Sequence, residues 1–92
     1  MTPPRKVYIV RGSEDGNLGV YSNFRRAYKS AFEYEENAEY GEPKCWEDNS
    51  KATYQKCQIY MASHGFAELF TGKGNYWDSQ ISAKIELFYL NH

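Results

Sequence analysis

The sequence predicts an α+β domain, ordered β-β-α-α-β-β, with a four-stranded antiparallel sheet and two helices packed on one face. Three observations lead there. An Asp15-Gly16 turn separates two strand-like runs near the start. Two stretches in the middle carry apolar residues at helical spacing behind good capping residues. In a last segment Ile81, Ala83, Ile85, Leu87 and Tyr89 alternate with Ser82, Lys84 and Glu86, the mark of a strand with one buried face. Two hairpins sharing one sheet, with both helices laid over it, is the simplest arrangement that buries every apolar stripe. Residues 1–92 make one domain with a single core, at 41% hydrophobic residues and a net charge of −1.

Lys6-Val7-Tyr8-Ile9-Val10-Arg11 is β-branched and aromatic and reads as the first strand. Glycine at position 16 supplies the positive φ of a hairpin turn, and Leu18-Gly19-Val20-Tyr21 is the return strand. Ser22 or Asn23 caps the first helix by accepting from the orphan amides of its first turn. Phe24, Ala27, Tyr28 and Ala31 then fall at i, i+3, i+4 and i+7 and form its core stripe. Thr53 caps a second helix, Tyr54 to His64, that Gly65 closes in the left-handed conformation. Tyr54, Cys57, Met61 and His64 share one face of it. Phe66 to Phe70 is a strand, Thr71 to Asp78 a loose turn, and Ile81 to Tyr89 the closing strand. That strand belongs at the sheet centre beside the first, and Phe88 and Leu90 on its second face suggest a cover there too. A winged-helix arrangement is the alternative; it finds only two helices and a single base, Lys56, on the second.

Charge is distributed in blocks. Residues 1–32 carry six bases against two acids, whereas residues 33–48 carry seven acids against Lys44 alone. On the first helix the order opposes the macrodipole, with Arg25 and Arg26 in the first turn and Glu33, Glu35 and Glu36 in the last, at roughly 0.3–1 kcal/mol per charge. Arg25 and Lys29 are like charges at i, i+4, a further small penalty. Stability alone does not select this order. The expected partner-binding residues are therefore Arg25, Arg26 and Lys29 for an anionic surface, and Glu35, Glu36 and Glu39 for a cationic one. Tyr40 and Trp46 add rigid aromatic contact area in the long connection from Asn37 to Ser50.

Several classes of chemistry find no motif. The glycine-bearing turn lacks the Gly-Lys-Ser/Thr ending of a P-loop, and its acids repel phosphate. His64 and His92 have no metal-ligand spacing, and Cys45 and Cys57 are too few for a zinc site. Cys57 and His64, about 10 Å apart along one helix, are out of hydrogen-bond reach for nucleophilic catalysis. No cofactor, no metal and no catalytic residue is expected. No apolar run approaches the ~20 residues of a bilayer span, so no membrane partner is expected. A cytoplasmic location follows as the default, with both cysteines as thiols.

Gly19-Val20-Tyr21-Ser22-Asn23 with Arg26-Ala27-Tyr28, the Tyr54-Gln55-Lys56 helix ending at Gly65, and the closing Lys84-Ile85-Glu86-Leu87-Phe88-Tyr89-Leu90-Asn91 together resemble a type of small phage-encoded protein. The resemblance implies an inhibitor of host defence, of the anti-CRISPR kind, which binds a host protein or ribonucleoprotein complex and blocks its engagement of target DNA. The chain departs from an all-over DNA mimic, since its acids are confined to one segment. A small nucleic-acid-binding regulator, using the basic first helix or a wing, is the alternative; aromatic platforms interleaved with bases stack nucleobases.

Overall fold

The structure is a computed structural model that describes residues 5–36, 42–46, 49–72 and 81–90, without the side chains of Glu36 and Ile81. The elements are β1 (Arg5–Gly12), β2 (Gly16–Tyr21), α1 (Phe24–Glu36), β3 (Lys44–Cys45), α2 (Tyr54–His64), β4 (Phe66–Thr71) and β5 (Ile81–Leu90). The fold is α+β, with two helices and one antiparallel sheet among the described residues. That sheet has five strands, not four, in the order β2-β1-β5-β4-β3. The fifth is the two-residue β3 at the far edge, too short to leave a period in sequence. It pairs Lys44 with Phe70 and Cys45 with Leu69.

β5 occupies the centre, hydrogen-bonded to β1 on one side and β4 on the other. This central five-strand arrangement is not a winged helix, in which the last hairpin stands apart as a wing. Val10, Ile85 and Ala67 lie across one row of the sheet, with Ala83 and Leu69 across the next row on the same face. These residues are buried together with Phe24, Ala27 and Ala31 of α1 and Cys57 and Met61 of α2. Both helices therefore cover the same face.

The hairpin between β1 and β2 turns through Ser13-Glu14-Asp15 into Gly16, whose φ of 71° is the left-handed value expected there. Register shifts by one between Val10/Gly19 and Arg11/Asn17, leaving Leu18 as an extra residue that packs against the core. Gly12 lies under the Tyr34 ring, and a Cβ at that position would sit 2.5 Å from Tyr34 Cζ. Tyr34 Oη accepts from the Glu14 amide at 3.0 Å, which ties the end of α1 to this turn.

Asn23, one of the two candidates, caps α1: its Oδ1 accepts from the Arg26 amide at 2.9 Å. Thr53 caps α2 by accepting from the Lys56 amide at 3.2 Å, and Gly65 (φ 80°) donates to Met61 O at 2.9 Å. Gly65 also accepts from the Leu87 amide, which fixes the end of α2 to the central strand.

The second face of the sheet departs from expectation. Val20, Phe88 and Leu90 are exposed, so nothing among the described residues covers the end of β5. Arg11 meets Glu86 at 3.5 Å and Lys84 lies over the Phe66 ring at 5.0 Å on that face, in a solvated, weakly stabilising arrangement. Phe70 is the exception there, fully buried with Lys44 Nζ 5.9 Å from its ring centre. His64, expected on the inward face of α2, is exposed and stacks on Tyr60 at 4.0 Å, its Nδ1 lying 3.2 Å from Tyr60 O. At the last helical position its side chain rests on a ring of its own helix one turn back instead of entering the core.

Candidate functional site

The outward side of α1 is built by its own period. Ala27 and Ala31 are small enough to bring the helix close to the sheet, and both are completely buried. Phe24, Tyr28 and Phe32, spaced four apart, then form a ladder along one flank, with centroids 6.3 Å and 5.7 Å apart. Tyr54 at the start of α2 closes the ladder, 5.7 Å from Phe24 and 5.6 Å from Tyr28. Arg25 lays its guanidinium over the Tyr54 ring at 4.5 Å, a cation–π contact that fixes the base at the rim.

These side chains bound an open, mostly apolar groove of about 440 Å³, lined by Arg25, Tyr28, Lys29, Phe32, Glu33 and Tyr54. A smaller hollow of about 310 Å³ adjoins it, with Tyr21, Arg26 and Ser30 on its far side. Lys29 and Glu33 line both, so they form the ridge between the two hollows. Arg25, Arg26 and Lys29 are all exposed. Thus the structure brings the three expected bases together on one helix around aromatic walls.

The acidic half of the expected surface is different. Glu35 is wholly buried, at 0% exposure, and cannot present its carboxylate to a partner. The reason is its position: it continues the stripe of Phe24, Ala27, Tyr28 and Ala31 by one more turn and so points at the sheet. Neither of its carboxylate oxygens has a hydrogen bond, nor does the hydroxyl of the buried Thr71, among the described residues. Burial raises its pKa from 4.5 to about 8; the Thr71 hydroxyl opposes the rise and the Glu68 carboxylate adds to it. With no aligned hydrogen bond between Glu35 and Thr71, desolvation prevails. Glu35 is then largely neutral at pH 7, which also removes one of the acids that oppose the dipole of α1. Glu39 and Tyr40, and the side chain of Glu36, lie outside the described residues. Trp46 sits elsewhere, half-buried against Tyr60 (5.9 Å) and Phe66 (5.8 Å) beside the last turns of α2.

No protein-family model, no curated protein and no solved structure matches this chain. What the site does must be read from its own chemistry. Among the described residues, no three His, Cys, Asp or Glu side chains converge as a metal centre requires, and no helix is long and apolar enough to cross a membrane. Burial is also what governs Tyr28: it pushes the phenol well above its ordinary pKa, with the Cys57 and Cys45 sulfurs adding to the shift. The ring is therefore a neutral hydrogen-bonding wall at any physiological pH. Flat aromatic walls beside fixed cations suit a planar or anionic group held by stacking and charge.

Phe32, Glu33 and Tyr54 were not anticipated as part of the site. The four-residue spacing of Phe24, Tyr28 and Phe32 carries the signal for the first of them. Tyr54 is brought in by the packing of α2 on α1, which no local pattern encodes.

Proposed function

We propose that this chain is a non-catalytic binding protein of the host-defence-inhibitor kind, anti-CRISPR-like and phage-encoded, acting in the host cytoplasm. It docks the outward face of α1 onto an anionic part of a host nucleoprotein complex and keeps target DNA from engaging. The observation that supports this most is the clustering of three exposed bases on one helix, Arg25 and Lys29 at a groove with aromatic walls and Arg26 at the hollow that adjoins it. Their order along α1 costs helix stability, so a charge-matched partner accounts for what folding does not. Occupation of a cationic DNA-binding groove by the acidic segment is a weaker element of this reading, because Glu35 is buried.

The test is an interference assay. Bacteria carrying an active CRISPR system against a reporter phage express either the chain or its Arg25→Glu/Arg26→Glu/Lys29→Glu variant. The chain restores plaque formation by orders of magnitude, and the variant, shown to be folded by a cooperative thermal transition, does not. If the variant restores plaques as well as the parent, α1 is not the docking face; if the parent restores none against any interference type, the inhibitor reading fails.

A second reading, a small nucleic-acid-binding regulator, is favoured by one specific contact, the Arg25 guanidinium stacked on Tyr54 beside Tyr28. It uses the same groove for an unstacked base with its phosphate on Arg25 or Lys29. A labelled single-stranded oligonucleotide titrated at low salt separates the two: direct binding that weakens steeply with salt supports the regulator.

A further inference from the structure

Cys45 and Cys57 come from elements of opposite kind, the edge strand β3 and the second turn of α2, yet their sulfurs stand 4.0 Å apart in the core. Both are thiols and both are buried. Buried cysteines usually act as small apolar side chains. Here two of them face each other across an element boundary. We propose that Cys45 and Cys57 are a reversible disulfide site, closed by a low-molecular-weight disulfide such as oxidised glutathione.

A sulfur–sulfur bond of about 2.05 Å requires the pair to approach by about 2 Å. β3 is the part able to move. It has two residues, it lies at the sheet edge, and Cys45 is held to the turn that follows it by two short backbone bonds, from its amide to Ser50 O (2.7 Å) and from the Asn49 amide to its carbonyl (2.9 Å). That turn travels with the strand. Edge elements of this size open locally at far lower free energy than a central strand, and opening uncovers Cys45 first.

The reaction balances in two exchanges. The Cys45 thiolate attacks one sulfur of the oxidant, whose other half leaves as a thiolate, and a mixed disulfide forms on Cys45. The Cys57 thiolate then attacks Cys45 Sγ and expels the second half. Two electrons pass from the protein to the oxidant, and the two protons given up by the cysteines end on the two released thiols. The product links β3 to α2 around residues 46–56, next to Tyr28, whose hydroxyl already feels both sulfurs and whose ring lines the groove. The site does not depend on the binding role proposed above.

The test uses the folded full chain, incubated with excess oxidised glutathione, quenched with N-ethylmaleimide and weighed intact by mass spectrometry. The expected product is lighter by two hydrogen atoms, takes up no maleimide, returns to the parent mass with dithiothreitol and has a higher thermal midpoint than the reduced chain. Cys45→Ala and Cys57→Ala each end as a glutathione or maleimide adduct. A folded chain that keeps both thiols, carries two glutathiones, or links only to a second copy overturns the proposal. So does a chain that cyclises only after unfolding in urea.

Discussion

Glu35→Gln is the most informative single substitution in this protein. The carboxyl is wholly buried with neither oxygen hydrogen-bonded among the described residues, and burial raises its pKa to about 8 from an ordinary 4.5. For an acid whose folded pKa is raised, the unfolded chain gives up the proton first. Stability is therefore full below pH 4.5, falls between pH 4.5 and 8, and levels above 8. At 1.36 kcal/mol per unit, the fall from pH 5 to pH 8 is about 3 kcal/mol. In a small domain stable by roughly 5–15 kcal/mol this is a large share. Glutamine keeps the shape of the side chain and cannot ionise, so its variant lacks this slope whatever its absolute stability. Urea unfolding at pH 5, 6, 7 and 8, followed by circular dichroism, measures the difference between the two chains. The parent loses stability relative to the variant by about 3 kcal/mol across that range. Parallel profiles would refute the burial of an unpaired carboxyl.

Two other substitutions test the packing. Gly12→Ala drives a methyl into the Tyr34 ring and costs about 1–3 kcal/mol by urea unfolding, and in a Tyr34→Ala background the same change costs markedly less, because the clash is gone. Thr53→Ala removes the acceptor for the Lys56 amide and lowers stability by about 1 kcal/mol, while Thr53→Asn retains most of it.

Caps, turns and the alternation of β5 were legible because each is written in a few neighbouring residues. Asn23, Thr53, Gly16 and Gly65 do in the structure what their types and positions imply. The fifth strand was not legible. β3 owes its existence to backbone pairing of Lys44 and Cys45 with Phe70 and Leu69, and to the bonds of Cys45 with Ser50 and Asn49, which side-chain pattern does not record. The candidate site divides along the same line. Arg25, Arg26 and Lys29 follow from helical period, as does the burial of Glu35, which the stripe reaches one turn beyond Ala31. A carboxylate among acids reads as surface only when its composition is weighed above its phase. The Tyr54 wall depends on contact between two helices and has no local signature.

The position of β5 has a consequence for how the chain reaches its fold. β5 joins the two halves of the sheet: it pairs with β1, some eighty residues earlier at Arg5 and Leu90, and with β4. Contacts of that sequence separation place folding toward the millisecond-to-second end of small domains. An isolated two-stranded hairpin such as β1–β2, and helices as short as α1 and α2, are marginal in water until they are packed against the rest of the sheet. The sheet is complete only when this long-range pairing closes, because β1 and β4 meet through β5 and nowhere else in the strand order.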